Sequence, residues 1–492
     1  MFSRFKNSRP QQFIFLFFIF IFSYLVVPQS EDSYLWRLPS LFKDFPLWIN
    51  NVIYSALYDW FPLKVWDPVF EMYEKKAAIR EFTRAISSGV LFLITFIREI
   101  FLGGVQTMST FISSSWLNSN KWFIWPALPW TAVVAGGMLL GYHLQGVRLA
   151  LLAGIGACYL SIFGQWEPSM QTLSFVLITA PICFIFGLSL GIWGYLNKKV
   201  EAALQPILNV AQTMPHFSFL IHVMVLFGIG DHAGAIATVI FATPPMVRLT
   251  LLGLKKLPPE VAESGVMSGC NNWQLLTKVL IPTARRDILI GVNQVIMQCL
   301  AMVVLASLIG AKGLGIDLLI ALNRLRIGVA IEIGVCIVLI AIVLDRLSLA
   351  WANKQTDYFA DLTFTQRNKY PLMFGAVFVI GIIFAYIGKF IFPEGFNYLY
   401  LVPHGKGIST AQFWQDGVDW IWDTFFYSLK GFNEWLIIEV LMPVKASYLA
   451  MPVAATFALA MGVGLIVGGI RTALTVGGFL LFIALTEWWD RA

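Results

Sequence analysis

The residues best suited to chemistry in this chain do not assemble into a catalytic pattern. His143, His216, His222, His232 and His404 share no metal-ligand spacing and stand near no cluster of carboxylates. Cys158, Cys183, Cys270, Cys299 and Cys336 lie far apart with no C-x-x-C pair, so they read as ordinary or buried thiols. Gly405-Lys406-Gly407 resembles a piece of a phosphate loop. However, Tyr400 stands five positions before Gly405, and no Ser or Thr follows Lys406, so ATP hydrolysis would have to come from a partner. Paired carboxylates are also missing, and no catalytic residue, metal site or resident cofactor is expected.

Two short stretches carry a different kind of signal. Gln212, Thr213, Met214 and Pro215 set polar and soft side chains beside a helix-breaking proline. They suit the lining of a solute pathway, and helix capping with packing explains them equally well. The stretch from Pro258 to Pro282 is polar and lies between two apolar runs. Pro258 and Pro259 suit the first turn of a helix whose positive end faces Glu260 and Glu263. Ser264, Gly265 and Gly269 are small enough to let another surface approach, and Pro282 is expected to end a second helix. The result would be a rigid knob projecting from a membrane.

The elements that position this knob follow from composition. Of 492 residues 58% are hydrophobic and 13% are charged, about half the charge density of a soluble domain. Apolar runs such as 13–27, 170–195, 301–309 and 328–344 approach or reach the ~20 residues of a membrane-crossing helix. They lack the alternation of a barrel strand, so an all-α polytopic integral membrane protein is expected. Spans are expected at about 124–143, 146–164, 171–194, 217–230, 233–250, 288–310, 328–350 and 371–392. The run 85–105 contains Arg98 and Glu99 and is read as an interfacial helix, since charge at bilayer depth is costly. With the first anchor entering from the cytoplasm, that choice places Lys198, Lys199, the basic stretch Lys255 to Arg286, Lys354, Arg367 and Lys369 inside, as positive-inside orientation requires. The net charge of +6 is modest for this length and does not indicate nucleic-acid binding. Gly137 with Gly141, and Gly187 with Gly191, are G-x-x-x-G pairs expected to serve close helix packing.

The organisation restarts after Lys369. A basic flank, an apolar span and an aromatic, net-acidic stretch (Trp414, Asp416, Asp419, Trp420, Trp422, Asp423, Glu434) lead into a helix pair from Met451. That pair aligns without gaps on the pair from Leu128. Pro129 meets Pro452, Gly141 meets Gly464, Gly146 meets Gly469, Arg148 meets Arg471, Gly154 meets Gly477 and Trp166 meets Trp489. This is an internal repeat, with nothing in the second copy corresponding to residues 170–351.

The knob resembles the cytoplasmic loop of permeases in binding-protein-dependent ABC importers, whose pattern is E-A-A, three residues, G, nine residues, I-x-L-P. Here it reads Glu263-Ser264-Gly265, three residues, Gly269, nine residues, Val279-Leu-Ile281-Pro282. Ser264 and Gly265 replace the alanines, and Val279 and Ile281 replace isoleucine and leucine. The glycine softens an isolated first helix by about 1 kcal/mol against alanine. From about Gly146 to Trp351 the chain is most similar to glycine betaine/proline betaine permeases, through Gln212-Thr-Met-Pro215, Leu226-Phe-Gly-Ile-Gly230, Pro244-Pro-Met-Val-Arg-Leu-Thr250 and Gly313-Leu-Gly315. His216, where a small residue is expected, departs from that pattern.

The resemblance implies a type I (MetI-like) permease core with an extra N-terminal helix and a partial second unit. Taken with the pattern of apolar, aromatic and charged residues, it divides the chain into an anchor (1–30), an aromatic interfacial segment (31–123) and a core (124–351) with a coupling loop at 255–287. A cytoplasmic linker (352–370) and an incomplete second unit (371–492) follow. It implies a bacterial inner-membrane location with the N-terminus in the cytoplasm, and import of glycine betaine or a related osmolyte. Choline, carnitine and trimethylamine oxide are the alternatives, and an ATP-independent secondary transporter is the alternative of another class. The implied partners are two copies of an ATPase that binds the ATP and Mg, an external or periplasmic binding protein, membrane lipid, and a second permease core from another copy or a separate chain. Glu263, Ser264, Gly265, Gly269, Val279, Ile281 and Pro282 would shape the coupling, a mechanical role.

Overall fold

The computed structural model describes residues 62–67, 72–102, 128–354, 369–391, 408–449, 451 and 453–485. The anchor expected at 1–30, the stretches 31–61 and 392–407, and most of the linker expected at 352–370 lie outside them. The chain forms two compact units, one running from Arg80 to Trp420 and another to which residues from Ile421 onward belong. The architecture is helical, with one addition to the all-α expectation. An antiparallel ribbon pairs β1 (Pro62–Asp67) with β2 (Met72–Ala77), Pro62 opposite Ala77.

In the first unit, α1 (Ala78–Phe101) begins earlier than the expected interfacial run. It is amphipathic. Ile94 is sunk into the main core while Phe82 stays exposed, and Ser87 Oγ donates to the Phe227 carbonyl at 3.3 Å. A helical hairpin follows, α2 (Trp130–Gln145) and α3 (Val147–Ile162), turned at Gly146 with φ +85°. Only glycine adopts that conformation freely. Gly141 is needed one turn earlier, because a Cβ there would come within 2.8 Å of the Leu149 carbonyl oxygen.

α4 (Trp166–Leu196), at about 46 Å, is long enough to cross with tilt. Its Gly187 and Gly191 let α7 (Asp231–Lys255) lie directly on it, with Met246 and Thr250 filling the space a methyl would need. Gly137 has open space around it, so its G-x-x-x-G pair packs through Gly141 alone. Between α4 and α7 the expected single span at 217–230 is instead half of a broken pair, α5 (Lys198–Thr213) and α6 (His216–Phe227), bent by 103°. Pro215 explains the break: the residue before a proline is driven out of the helical region, and Met214 has ψ 134°. At 12 residues, or about 18 Å, α6 cannot cross the ~30 Å hydrocarbon layer alone.

Beyond α8 (Pro259–Met267), described with the knob below, come α9 (Arg285–Ala306), a 3-10 turn (Ser307–Ile309), α10 (Leu314–Asn323) and α11 (Ile327–Asn353). The short α10 falls between two expected spans and had no counterpart in the hydropathy pattern. It is tied down where Thr172 Oγ1 accepts the Leu314 N–H at 3.0 Å. Phe175, Met246, Val295, Leu300 and Ile333 are among the residues of the main core. α12 (Lys369–Ile391) packs on α2, Phe374 and Phe378 against Gly136 and Gly381 against Ala132.

α13 (Ala411–Trp435) leads to a π-turn (Leu436–Leu441), α14 (Met442–Leu449) and α15 (Val453–Leu485). α15 is long enough to be a single span, but it doubles back at Gly469, φ +74°. Its internal geometry repeats that of α2–α3 at a set of matched positions. Ala132, Gly141, Ala150 and Gly154 are buried, and so are Ala455, Gly464, Ala473 and Gly477, each 323 positions later. A Cβ on Gly154 would strike Met138, and one on Gly477 would strike Met461, again 323 positions on.

Candidate functional site: a two-armed knob and a bent helix pair

The knob is built from two helical arms. α8 starts with Pro258 as its cap and Pro259 in its first turn, with Glu260 beside the positive end. It ends in a Schellman arrangement: the Cys270 N–H reaches the Gly265 carbonyl (3.1 Å) and the Gly269 N–H the Val266 carbonyl (2.9 Å). Gly269 makes this ending possible, with φ +80° and no atom within 4 Å of the place a Cβ would take. Its requirement is conformational and not one of space.

The second arm opens with a reciprocal capping box. Asn271 Oδ1 accepts from the Gln274 N–H (2.8 Å), and Gln274 Oε1 accepts from the Asn271 N–H (3.0 Å). A single α-turn (Asn272–Gln274), a π-turn (Leu275–Leu280) and a last turn (Ile281–Thr283) follow. Pro282 therefore does not end this arm, as the sequence suggested. The Ile281 N–H bonds back five residues to Leu276, and this wider register accommodates the proline that follows. The π-turn at Leu436–Leu441 precedes Pro443 in the same way.

The two arms touch at Gly265. A Cβ there would lie 2.6 Å from Leu275 Cδ1 and 3.2 Å from Val279 Cγ2. The glycine in place of the pattern's alanine thus brings the arms closer, and α8 remains helical through Met267. The knob's base is sunk in the main core through Leu276, Leu280 and Ala284, with Ile281 packed against it. Glu263, Ser264 and Pro282 are exposed, Val279 and Ile281 half-buried. The tip also presents Met267, 91% exposed, and Trp273, 70% exposed. Sequence reasoning missed both, because neither belongs to the motif and an aromatic residue is unremarkable in so aromatic a chain.

Gln212, Thr213 and Pro215 are exposed at the bend between α5 and α6, and Met214 is half-buried there. Met214 packs against a small second core containing Phe219, Val223, Phe241 and Met302. His216 packs against Phe241 with the rings tilted by 53° and their centroids 4.0 Å apart, so the departure at that position is absorbed as an aromatic contact. The structure also brings together two cysteines that sequence distance separated: Cys183 and Cys299, both buried and free, are neighbours in the main core.

Several bilayer-length helices around a packed core, with a two-armed knob joining two of them, define a polytopic membrane protein. Comparison with known proteins gives the family. Residues 184–355 match the binding-protein-dependent transport system inner membrane component. The glycine betaine transport system permease protein OpuAB of Bacillus subtilis is 38% identical over 248 residues, 50% of this chain and 82% of that protein. The glycine betaine/proline betaine permease ProW of Escherichia coli is 35% identical over 265 residues, 54% of this chain and 73% of that protein. The chain belongs to this family of ABC importer permeases and is a multi-pass inner-membrane component. The trimethylamine N-oxide transport system permease TmoV of Pelagibacter ubique is 58% identical over 457 residues, 93% of this chain; the aligned region is 64% of that protein's length.

Proposed function

We propose that this chain is a membrane subunit of an ATP-driven importer of small methylated-ammonium osmolytes, with trimethylamine N-oxide and glycine betaine as the leading solutes. The knob is the observation that carries the ATP-driven part. It is capped at both arms, stapled at Gly265 and continuous with the core through Leu276 and Leu280, which suits a lever pushed by a partner. In this reading two copies of a cytoplasmic ATPase hold the ATP and Mg and receive the tip around Glu263, Gly269, Met267 and Trp273. An external binding protein delivers the solute, and the bend at Gln212–Pro215 borders its path. The solute class is supported by the names of the relatives.

The hairpin α15, repeating α2–α3, opens a second permease core whose remaining helices are supplied by further polypeptide. Two cores and two ATPases make the working assembly, with the N-terminus of this chain in the cytoplasm.

Uptake of labelled trimethylamine N-oxide and glycine betaine by cells expressing the chain with a partner ATPase and binding protein tests this. Uptake that requires the ATPase and disappears in Gly269→Val, with the protein still in the membrane, is the expected result. Uptake that persists without the ATPase overturns the reading.

A further inference from the structure

Arg248 is a cation within a membrane-crossing helix. It stands seven residues, about 10 Å, from the cytoplasmic end of α7, between the buried Met246, Val247, Thr250 and Leu251. An arginine at such depth is costly to hold and marks a functional position unless it is paired with an acid. Its only hydrogen-bond partner among the described residues is neutral: Nη2 donates to Asn209 Oδ1 at 2.5 Å. Its Nε is buried and has no partner among the described residues. The guanidinium is therefore aimed by one amide and left short of an acceptor.

Its surroundings are those of a polar track. Asn209 belongs to an exposed stripe on α5, Gln205, Asn209, Gln212 and Thr213, spaced to share one helix face and ending at the bend before Pro215. Phe241, two turns before Arg248 on the same side of α7, packs against His216 just past that bend. One face of α7 thus runs from an aromatic contact at the bend to an acceptor-seeking guanidinium nearer the cytoplasm.

We infer that Arg248 is a specificity-determining residue of the translocation path, which hydrogen-bonds the oxygen end, carboxylate or N-oxide, of a methylated-ammonium solute passing between α5 and α7. The inference rests on the osmolyte-import reading above. A planar fork of donors suits a carboxylate or an N-oxide oxygen, and a charge-assisted bond there favours zwitterionic solutes over cations that lack an anionic oxygen.

The test uses the complete reconstituted assembly, measuring glycine betaine imported per ATP hydrolysed for wild type, Arg248→Gln and Arg248→Lys. Arg248→Gln should lower that ratio by about tenfold or more, the scale of one lost charge-assisted bond, while assembly and binding-protein-stimulated ATP hydrolysis persist. Arg248→Lys should recover a large part of it. An unchanged ratio in Arg248→Gln, equal behaviour of Lys and Gln, or a loss that merely tracks the amount of assembled complex would overturn the inference. The last result is also what an arginine anchored on a lipid phosphate would give. A wild type that imports neither glycine betaine nor trimethylamine N-oxide fails the functional reading itself, which separates the two failures.

Discussion

Arg98 on α1 and Asp231 at the start of α7 form a part-buried ion pair, Nη1 to Oδ2 at 3.1 Å. The other carboxylate oxygen of Asp231 accepts the backbone N–H of Lys312 at 2.6 Å. One carboxylate therefore joins the peripheral helix, the head of a core helix and the loop before α10.

Removing Arg98 should expose the cost of that arrangement. Arg98→Met leaves the largely buried Asp231 short of the guanidinium it pairs with, and the loss should be about 3 kcal/mol or more. Asp231→Asn in the same background should restore part of it. Arg84→Ala, which breaks an exposed pair with Glu81, should change stability by less than about 1 kcal/mol. Thermal unfolding of the purified protein in detergent makes the comparison, and equal effects of Arg98→Met and Arg84→Ala would contradict it.

Gly269 makes a conformational prediction. Valine at φ +80° is strained by at least about 1–2 kcal/mol, so Gly269→Val should unwind the Schellman ending and abolish ATP-coupled uptake without loss from the membrane. Asparagine tolerates the left-handed region, and the site has room for it, so Gly269→Asn should retain much of the uptake. A variant series ordered by side-chain size would count against this account.

The tip of the knob separates stability from coupling. Met267 and Trp273 are so exposed that Met267→Ser and Trp273→Ala should each change unfolding stability by no more than about 0.5 kcal/mol. An exposed aromatic anchor seated in a partner is a different matter, and Trp273→Ala should weaken capture of the ATPase by about tenfold or more. Co-purification of the ATPase reads this directly; full retention would remove Trp273 from the interface.

Glu332 is 2% exposed and collects three donors, Gln165 Nε2 (3.3 Å), Ser409 Oγ (3.0 Å) and Thr410 Oγ1 (3.0 Å). Glu332→Leu strands all three at roughly 1–3 kcal/mol for each one left buried, whereas Glu332→Gln keeps an acceptor and should cost less. The same replacement should loosen the segment around Ser409. Protease cleavage near that segment, faster in Glu332→Leu than in Glu332→Gln, is the expected sign, and equal rates would be contrary to it.

These sites differ in how much of them the sequence carried. Spacing in Glu263 to Pro282 identified the knob because its glycines and prolines act locally, through φ and caps. The hairpin repeat was legible for the same reason, since Gly146 and Gly469 answer to their own backbones. Arg98 was read as a reason to keep α1 out of the bilayer, and its partner lay 133 residues away, beyond any periodicity. Cys183 and Cys299 were hidden from each other by the same kind of distance. Pro215 marks a helix break in the sequence, but the 103° turn between the two halves escaped because hydropathy counts apolar residues and does not register a change of direction. The π-turn escaped because no single residue type encodes a wider helical turn.

That π-turn also acts as a clock setting. One residue beyond the α-helical count turns everything before it by about 100° relative to everything after it. The compass bearing of Met267 and Trp273 around the axis of α9 is thus fixed by a single residue's worth of chain. A one-residue deletion or insertion between Leu275 and Leu280 would keep the composition of both surfaces and still aim the tip elsewhere. Such an indel changes the direction in which the tip faces while leaving every residue of both surfaces in place.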